Sequence, residues 1–306
     1  MPWFIIALCA PILSSIGNYT DKYLVSHPRK TGGIGSILIF SSLFGSLVLP
    51  IAYTLGALPT SVPVIYALIL MVNGALTVAT LGAYLYAIRD SDVVSVVPVL
   101  QLIPIIGFIF GWVMLGETLS ASQILGSSII VLSAILLSLE IEEDARLRFR
   151  ARSFAYASLS ALLFVISGVI FKSTASVVGY WDAQFWEYIG ITFVGVVLAA
   201  SVPSYRQGFV RVVSERRIGV VGLNLVTEGL MVSSDLLLNY ATLLAPVALV
   251  YSVNALQPAF LFVFALIGAV MAPGLMARMS LLRKHMALKL ISICLMTAGA
   301  FIMYLY

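Results

Sequence analysis

Of the 306 residues, 61% are hydrophobic and only 10% charged, and the mean hydropathy is +1.08. Soluble domains are about a quarter charged, so these values exclude a soluble globular domain and make lipid the solvent for most of the surface. The net charge of +4 and isoelectric point near 9.1 come from basic residues scattered singly or in small groups at segment ends, which fits anchors beside anionic lipid and not a nucleic-acid surface.

The first apolar stretch has no basic n-region ahead of it and runs on to Tyr19 before Asp21 and Lys22. It is therefore predicted to stay as a helix and not to be cleaved as a signal peptide. Cys9 follows Leu8, not the small residue of a lipoprotein cleavage site, and reads with Cys294 as an unpaired packing residue. The chain as a whole reads as ten apolar segments, at about 3–24, 34–55, 63–87, 93–115, 121–139, 153–178, 182–202, 218–243, 247–271 and 286–305, each near the roughly 20 residues that a span needs. The stretch 140–152 alternates acid and base and reads as a cytoplasmic linker between two five-segment blocks, 1–139 and 153–306.

Basic residues sort cleanly among the connections. Lys22, Arg29 and Lys30, then Arg89, then Arg146, Arg148, Arg150 and Arg152, then Arg206, Arg211, Arg216 and Arg217, and last Arg278, Arg283, Lys284 and Lys289 all fall on one side, 16 of the 17 Lys and Arg residues. The other side receives Lys172 alone. Basic residues near spans are retained in the cytoplasm, so ten spans put both termini outside, in a bacterial or archaeal plasma membrane. Trp3, Tyr180, Trp181, Tyr304 and Tyr306 are then expected in an outer aromatic belt.

The two blocks resemble each other. Tyr86-Ala87 and Tyr240-Ala241, Val93 and Val247, Val99 and Val253, Pro104 and Pro258, and Phe108 and Phe262 recur at a spacing of 154, while Lys22 and Lys172 are offset by 150. An odd number of spans per block makes the second block inverted relative to the first. Inverted repeats are a common basis for alternating access, with the site at their midplane interface. The expected fold class is an all-α membrane protein of ten transmembrane helices in two inverted five-helix repeats.

The stretch Val97 to Gln123, with Gly116-Glu117 closing a proline-containing fourth segment and Gly126 following in the fifth, resembles the signature of the EamA-like family of the drug/metabolite transporter superfamily. The second copy, Pro246 to Phe262 with Asn254, Gln257 and Pro258, is similar but lacks the closing Gly-Glu. The resemblance implies a secondary transporter over essentially the whole chain. Relatives of this family usually have cytoplasmic termini, so the charge count here departs from the family pattern.

Polar residues inside the spans are few, and a charge at a helix centre costs about 2.5–3.5 kcal/mol on insertion scales. In the eighth segment Asn224, Glu228, Asp235 and Asn239 fall within about 60° of one another at helical spacing, with Met231 and Thr242 on the same face. Glu228 lies roughly 15 Å along that helix, near the midplane. In the third segment Asn73, Thr77, Thr80 and Tyr84 form the matching stripe. Glu228 is predicted to be a protonatable coupling or substrate-binding carboxylate; the alternative is a packing carboxyl held by neighbours such as Asn224. Lys172 and Glu187 stand at similar distances from the turn near Gly179-Tyr180 and are expected to pair, in a structural or a gating role. Gln101, Tyr251, Asn254 and Gln257 cluster near helix-bending prolines and are candidates either for substrate hydrogen bonds or for interhelical glue. Asp21, near the cytoplasmic end, reads as solvated beside Lys22.

His27 and His285 have no second metal ligand at helical spacing, and no Walker loop, dinucleotide fingerprint or nucleophile elbow occurs. No metal, cofactor or enzymatic activity is expected. The expected partners are a small-molecule substrate and the bilayer, with no nucleic acid, and a monomer or homodimer. The expected function is a secondary active transporter, an exporter of a small polar or amphipathic metabolite, proton-coupled through Glu228. The alternatives are a flippase for a lipid-linked sugar, with an isoprenyl phosphate at Lys172 or a cytoplasmic arginine, and a membrane subunit that does not itself transport.

Overall fold

Runs of Leu, Ile, Val and Ala offer the backbone no partner in lipid but itself, so each predicted segment has to close its hydrogen bonds within a helix. The computed structural model describes residues 2–26, 32–89, 96, 99–142, 151–214, 218–271 and 286–305, and the regular structure among them is helical throughout. In chain order the helices are α1 (Pro2–Ser26), α2 (Gly33–Thr54, tightened to a 3-10 turn over Gly45–Leu47), α3 (Val64–Arg89), α4 (Leu102–Leu115), α5 (Ala121–Glu142), α6 (Ala151–Val178), α7 (Tyr180–Ser201), α8 (Pro203–Ser214), α9 (Ile218–Leu244), α10 (Val247–Asn254), α11 (Gln257–Met271) and α12 (Met286–Leu305). Outside the described residues lie His27, Arg29, Lys30, Val93, Pro98, Arg146, Arg148, Arg150, Arg216, Arg217, Arg278, Arg283, Lys284, His285 and Tyr306, most of the predicted linker, and the side chains of Lys22 and Tyr304.

Among the described residues six helices are long and apolar enough to cross a membrane: Gly33–Thr54, Val64–Arg89, Ala151–Val178, Tyr180–Ser201, Val221–Leu244 and the broken run Val247–Phe264. Shorter apolar helices are Pro2–Asn18, Leu102–Leu115, Ala121–Leu137 and Ala287–Met303. Their outer faces are not those of a water-soluble protein. Val64, Trp112, Val113, Leu132 and Phe301 are each more than 60% exposed, an apolar surface that lipid covers.

The predicted ninth helix is not continuous. Pro258 has no N–H, and its ring crowds the carbonyl four residues back, that of Asn254, so α10 ends at Asn254 and α11 restarts at Gln257. Pro104 acts in the same way in the first block. Val99 and Leu100 are helical, Gln101 is a turn, and α4 begins at Leu102. The stretch 203–217, read from sequence as a connection, instead contains α8, whose Val212 is buried and whose Arg206 and Arg211 are exposed. It packs on α2 and α7, with Phe209 6.2 Å from Phe40.

The most extensive interfaces join the two halves of the chain: α5 with α12, α3 with α6, α1 with α9, and α7 with both α3 and α2. The α5–α12 contact is reciprocal at two glycines. A Cβ on Gly126 would stand 2.7 Å from the Gly299 carbonyl oxygen, and one on Gly299 would stand 2.8 Å from that of Gly126, so neither backbone admits a side chain there.

The connections gather on two faces at opposite ends of the helices. At one, the Arg89 guanidinium sits 5.2 Å from the Tyr86 ring, Tyr86 stacks on Tyr156 at 5.5 Å, Arg152 lies 6.0 Å from Tyr156, and the Tyr86 and Tyr205 hydroxyls are 2.8 Å apart. At the other, the Leu58 amide donates to Asp182 Oδ1 at 2.6 Å. Three of the predicted basic connections thus share one face. The expected aromatic belt is only partly realised. Trp3 is 8% exposed in the core against Phe4, and Tyr180 turns inward to donate to the Leu236 carbonyl at 2.6 Å.

Candidate functional site

The polar stripe of α9 needs a neighbour that offers hydrogen bonds, and α1 and α2 supply it. Ser234 donates to the Ala10 carbonyl at 2.8 Å, and the Ser41 hydroxyl donates to Glu228 Oε2 at 2.7 Å. Between these helices and α3 lies a cavity of about 280 Å³. Asp21, Glu228 and Asp235 bring their carboxyl groups to its wall. Glu228 and Asp235 are seven residues apart on α9, about 10 Å along its axis.

Much of the wall comes from positions that lie a constant distance apart in the chain. On α3 it comprises Thr77, Val78, Thr80, Leu81 and Tyr84; α9 adds Met231, Val232, Ser234, Asp235 and Leu238, each 154 residues further on, and also Glu228, whose counterpart Gly74 does not line the cavity. Leu100 and Ile103 beside the first proline break are matched at the same spacing by Asn254 and Gln257 beside the second. Ser14 on α1 and Phe164 on α6 correspond at a spacing of 150. α3 ends on the arginine–tyrosine face where α9 begins, so the matched helices run in opposite directions.

A smaller pocket of about 40 Å³ adjoins the cavity and shares Thr77, Thr80, Phe164 and Asp235 with it. Its far wall carries Glu187, Asn239 and Tyr251. Glu187 Oε1 accepts from Asn73 Nδ2 at 2.8 Å and from Thr77 at 3.2 Å, while Oε2 has no partner among the described residues. The Tyr188 hydroxyl donates to Asp235 Oδ2 at 3.4 Å. Tyr251 lies against Gly168, where a Cβ would collide with its hydroxyl.

Of the residues singled out from sequence, Tyr84, Glu228, Asp235, Asn254 and Gln257 line the main cavity, and Asn239, Tyr251 and Glu187 line the smaller pocket. Tyr84 donates to Asn18 Oδ1 at 3.3 Å, and Gln257 Nε2 donates to Ser14 at 2.8 Å. Asn73 is spent on Glu187. Asn224 and Gln101 are buried and reach neither wall. For Gln101 the reason is helical phase, since the cavity takes Leu100 and Ile103, the counterparts of Asn254 and Gln257.

The expected Lys172–Glu187 pair does not form. Lys172 Nζ lies 2.6 Å from Glu117 Oε1 and donates to the Ala245 carbonyl at 2.8 Å. The two leave their helices on different sides: Glu187 faces α3, and Lys172 faces the α4 terminus and the α9–α10 turn. Asp21 is also corrected. It is 3% exposed and forms part of the cavity wall, not of a solvated end. Sequence does not mark Ser41, Tyr188 or Phe164, because a serine, a tyrosine or a phenylalanine inside a span carries no signal of its own.

Residues 1–139 match the model of the EamA-like transporter family. The first half of the chain is EamA-like. In this EamA-like half the Gly116-Glu117 pair has a clear physical role. Gly116 ends α4 in a left-handed conformation (φ 66), and Glu117 Oε2 accepts from the Val247 amide at 2.8 Å while Oε1 meets Lys172. No curated protein matches the chain. A solved structure described as "Crystal structure of protein" superposes on 99% of this chain and 96% of its own, with a TM-score of 0.60 and 14% identity. At that identity the likeness is one of fold alone.

Proposed function

We propose that the protein is a secondary carrier of ten membrane-crossing helices, arranged as two inverted five-helix repeats with termini outside, that exports a small polar or amphipathic metabolite from the cell. The observation that supports this most is the cavity wall, where five positions of α3 are matched by five of the six that α9 contributes, at one constant spacing, on helices that run in opposite directions. A site built symmetrically from two antiparallel halves can be opened to either side by rocking one half against the other. The proline breaks support the same reading, because irregular backbone at membrane depth is tolerated where it lines a cavity.

Glu228 is the coupling carboxylate in this proposal. It is buried at 5% exposure, lines the cavity and, among the described residues, accepts one side-chain hydrogen bond, from Ser41. A single hydroxyl donor leaves it able to exchange a proton for a substrate group without dismantling a network. The test is flux in proteoliposomes under an imposed proton gradient, preceded by a thermal-stabilisation screen of metabolites. A stabilising metabolite that moves against its gradient in the native protein and not in Glu228→Gln meets the expectation. Absence of gradient-driven flux for every stabilising compound would overturn the carrier.

A further inference from the structure

The larger cavity carries Asp21, Glu228 and Asp235, and the small pocket beside it adds Glu187. No Lys, Arg or His stands among the described residues lining either space. Two further observations point to a missing partner. Ser42 lines the cavity at 1% exposure with its hydroxyl unpartnered, and Glu187, at 2% exposure, leaves Oε2 unpartnered in the small pocket. Buried polar atoms are normally satisfied, and these two have no partner among the described residues.

The acids are not gathered at one point. Glu228 and Asp21 stand at one end, and Asp235 and Glu187 at the other, about 10 Å away along α9. The second end is walled by the Phe164 and Tyr251 rings, 5.2 Å apart, and aromatic faces attract ammonium groups. One water needs roughly 10–15 Å³, so a pocket of about 40 Å³ takes one ammonium and little else.

Resting on the carrier reading above, we propose that the substrate is an aliphatic α,ω-diamine or short polyamine, bound with one ammonium at Asp235 and Glu187 and the other at Glu228 and Asp21. The alkyl chain between them lies on Val78, Leu81 and Val232. A hydrophobic middle and two charged ends match an aliphatic wall flanked by two pairs of acids.

Isothermal titration of the purified full-length protein with 1,5-diaminopentane and spermidine, against pentylamine of equal length, tests this. Binding of the diamine at least about tenfold tighter than the monoamine is expected, as one added charge-assisted hydrogen bond gives, with that ratio falling toward one in Glu187→Gln and in Asp235→Asn. Equal affinities in the native protein would overturn the proposal, as would a ratio unchanged in both variants. Driven flux of a neutral or anionic metabolite without diamine binding would overturn the diamine and leave the carrier standing; diamine binding without flux would do the reverse.

Discussion

Lys172 of α6 and Glu117, just past α4, meet at 2.6 Å across the boundary between the two halves, with side chains 16% and 12% exposed. Each also closes a helix end in the second half. Lys172 donates to the Ala245 carbonyl beyond α9, and Glu117 accepts the Val247 amide that opens α10. A cation at a helix C-terminus and an anion at an N-terminus both oppose the helix dipole, so the pair holds three helix ends together.

Removing one partner leaves the other charged and largely buried. Lys172→Met is expected to destabilise the protein by about 3 kcal/mol, and Glu117→Gln combined with Lys172→Met by clearly less than the sum of the two single changes. A double-mutant cycle of unfolding in detergent measures this. Additive losses would show that the two do not act as a pair.

Glu228→Gln keeps the hydrogen bond with Ser41 possible while removing the exchangeable charge. Gradient-driven transport should fall at least about a hundredfold, with expression and unfolding temperature close to native. Transport at the native rate would remove Glu228 from coupling.

Pro258→Ala restores a backbone donor that can reach the Asn254 carbonyl and so rejoin α10 to α11. The straightened helix withdraws Asn254 and Gln257 from the cavity. Transport should drop about tenfold or more while stability is kept or raised. A variant that is fully active would show that the break has no part in the site.

Gly126→Ala and Gly299→Ala each force a Cβ against a carbonyl oxygen of the facing helix, so each should cost about 1–3 kcal/mol by overpacking. Gly222→Ala in α9, with nothing within 4 Å, is the contrast; it should be neutral or stabilising by up to about 1 kcal/mol. Comparable losses at all three positions would mean that α5 and α12 do not touch as described.

Cysteines introduced at Arg206 and Ser61, both exposed, report sidedness. In intact cells an impermeant maleimide should label Ser61→Cys and reach Arg206→Cys only after lysis, as basic cytoplasmic connections require. The opposite pattern would turn the termini inward.

Much of this molecule is legible in one dimension. Hydropathy marks the helices, loop charge assigns a common face to Arg89, Arg152 and Arg206, and helical spacing puts Glu228 and Asp235 on one stripe, because each depends on a residue's own chemistry or its position along its own helix. Pro104 and Pro258 mark the irregular backbone for the same reason, although only the folded chain shows the full break into α10 and α11. The partners are not legible. That Lys172 chooses Glu117 over Glu187, that Asp21 is walled in, that Asn73 serves Glu187 and that Gln101 turns away from the cavity all depend on how each helix is rotated against its neighbours, which packing among helices far apart in the chain decides.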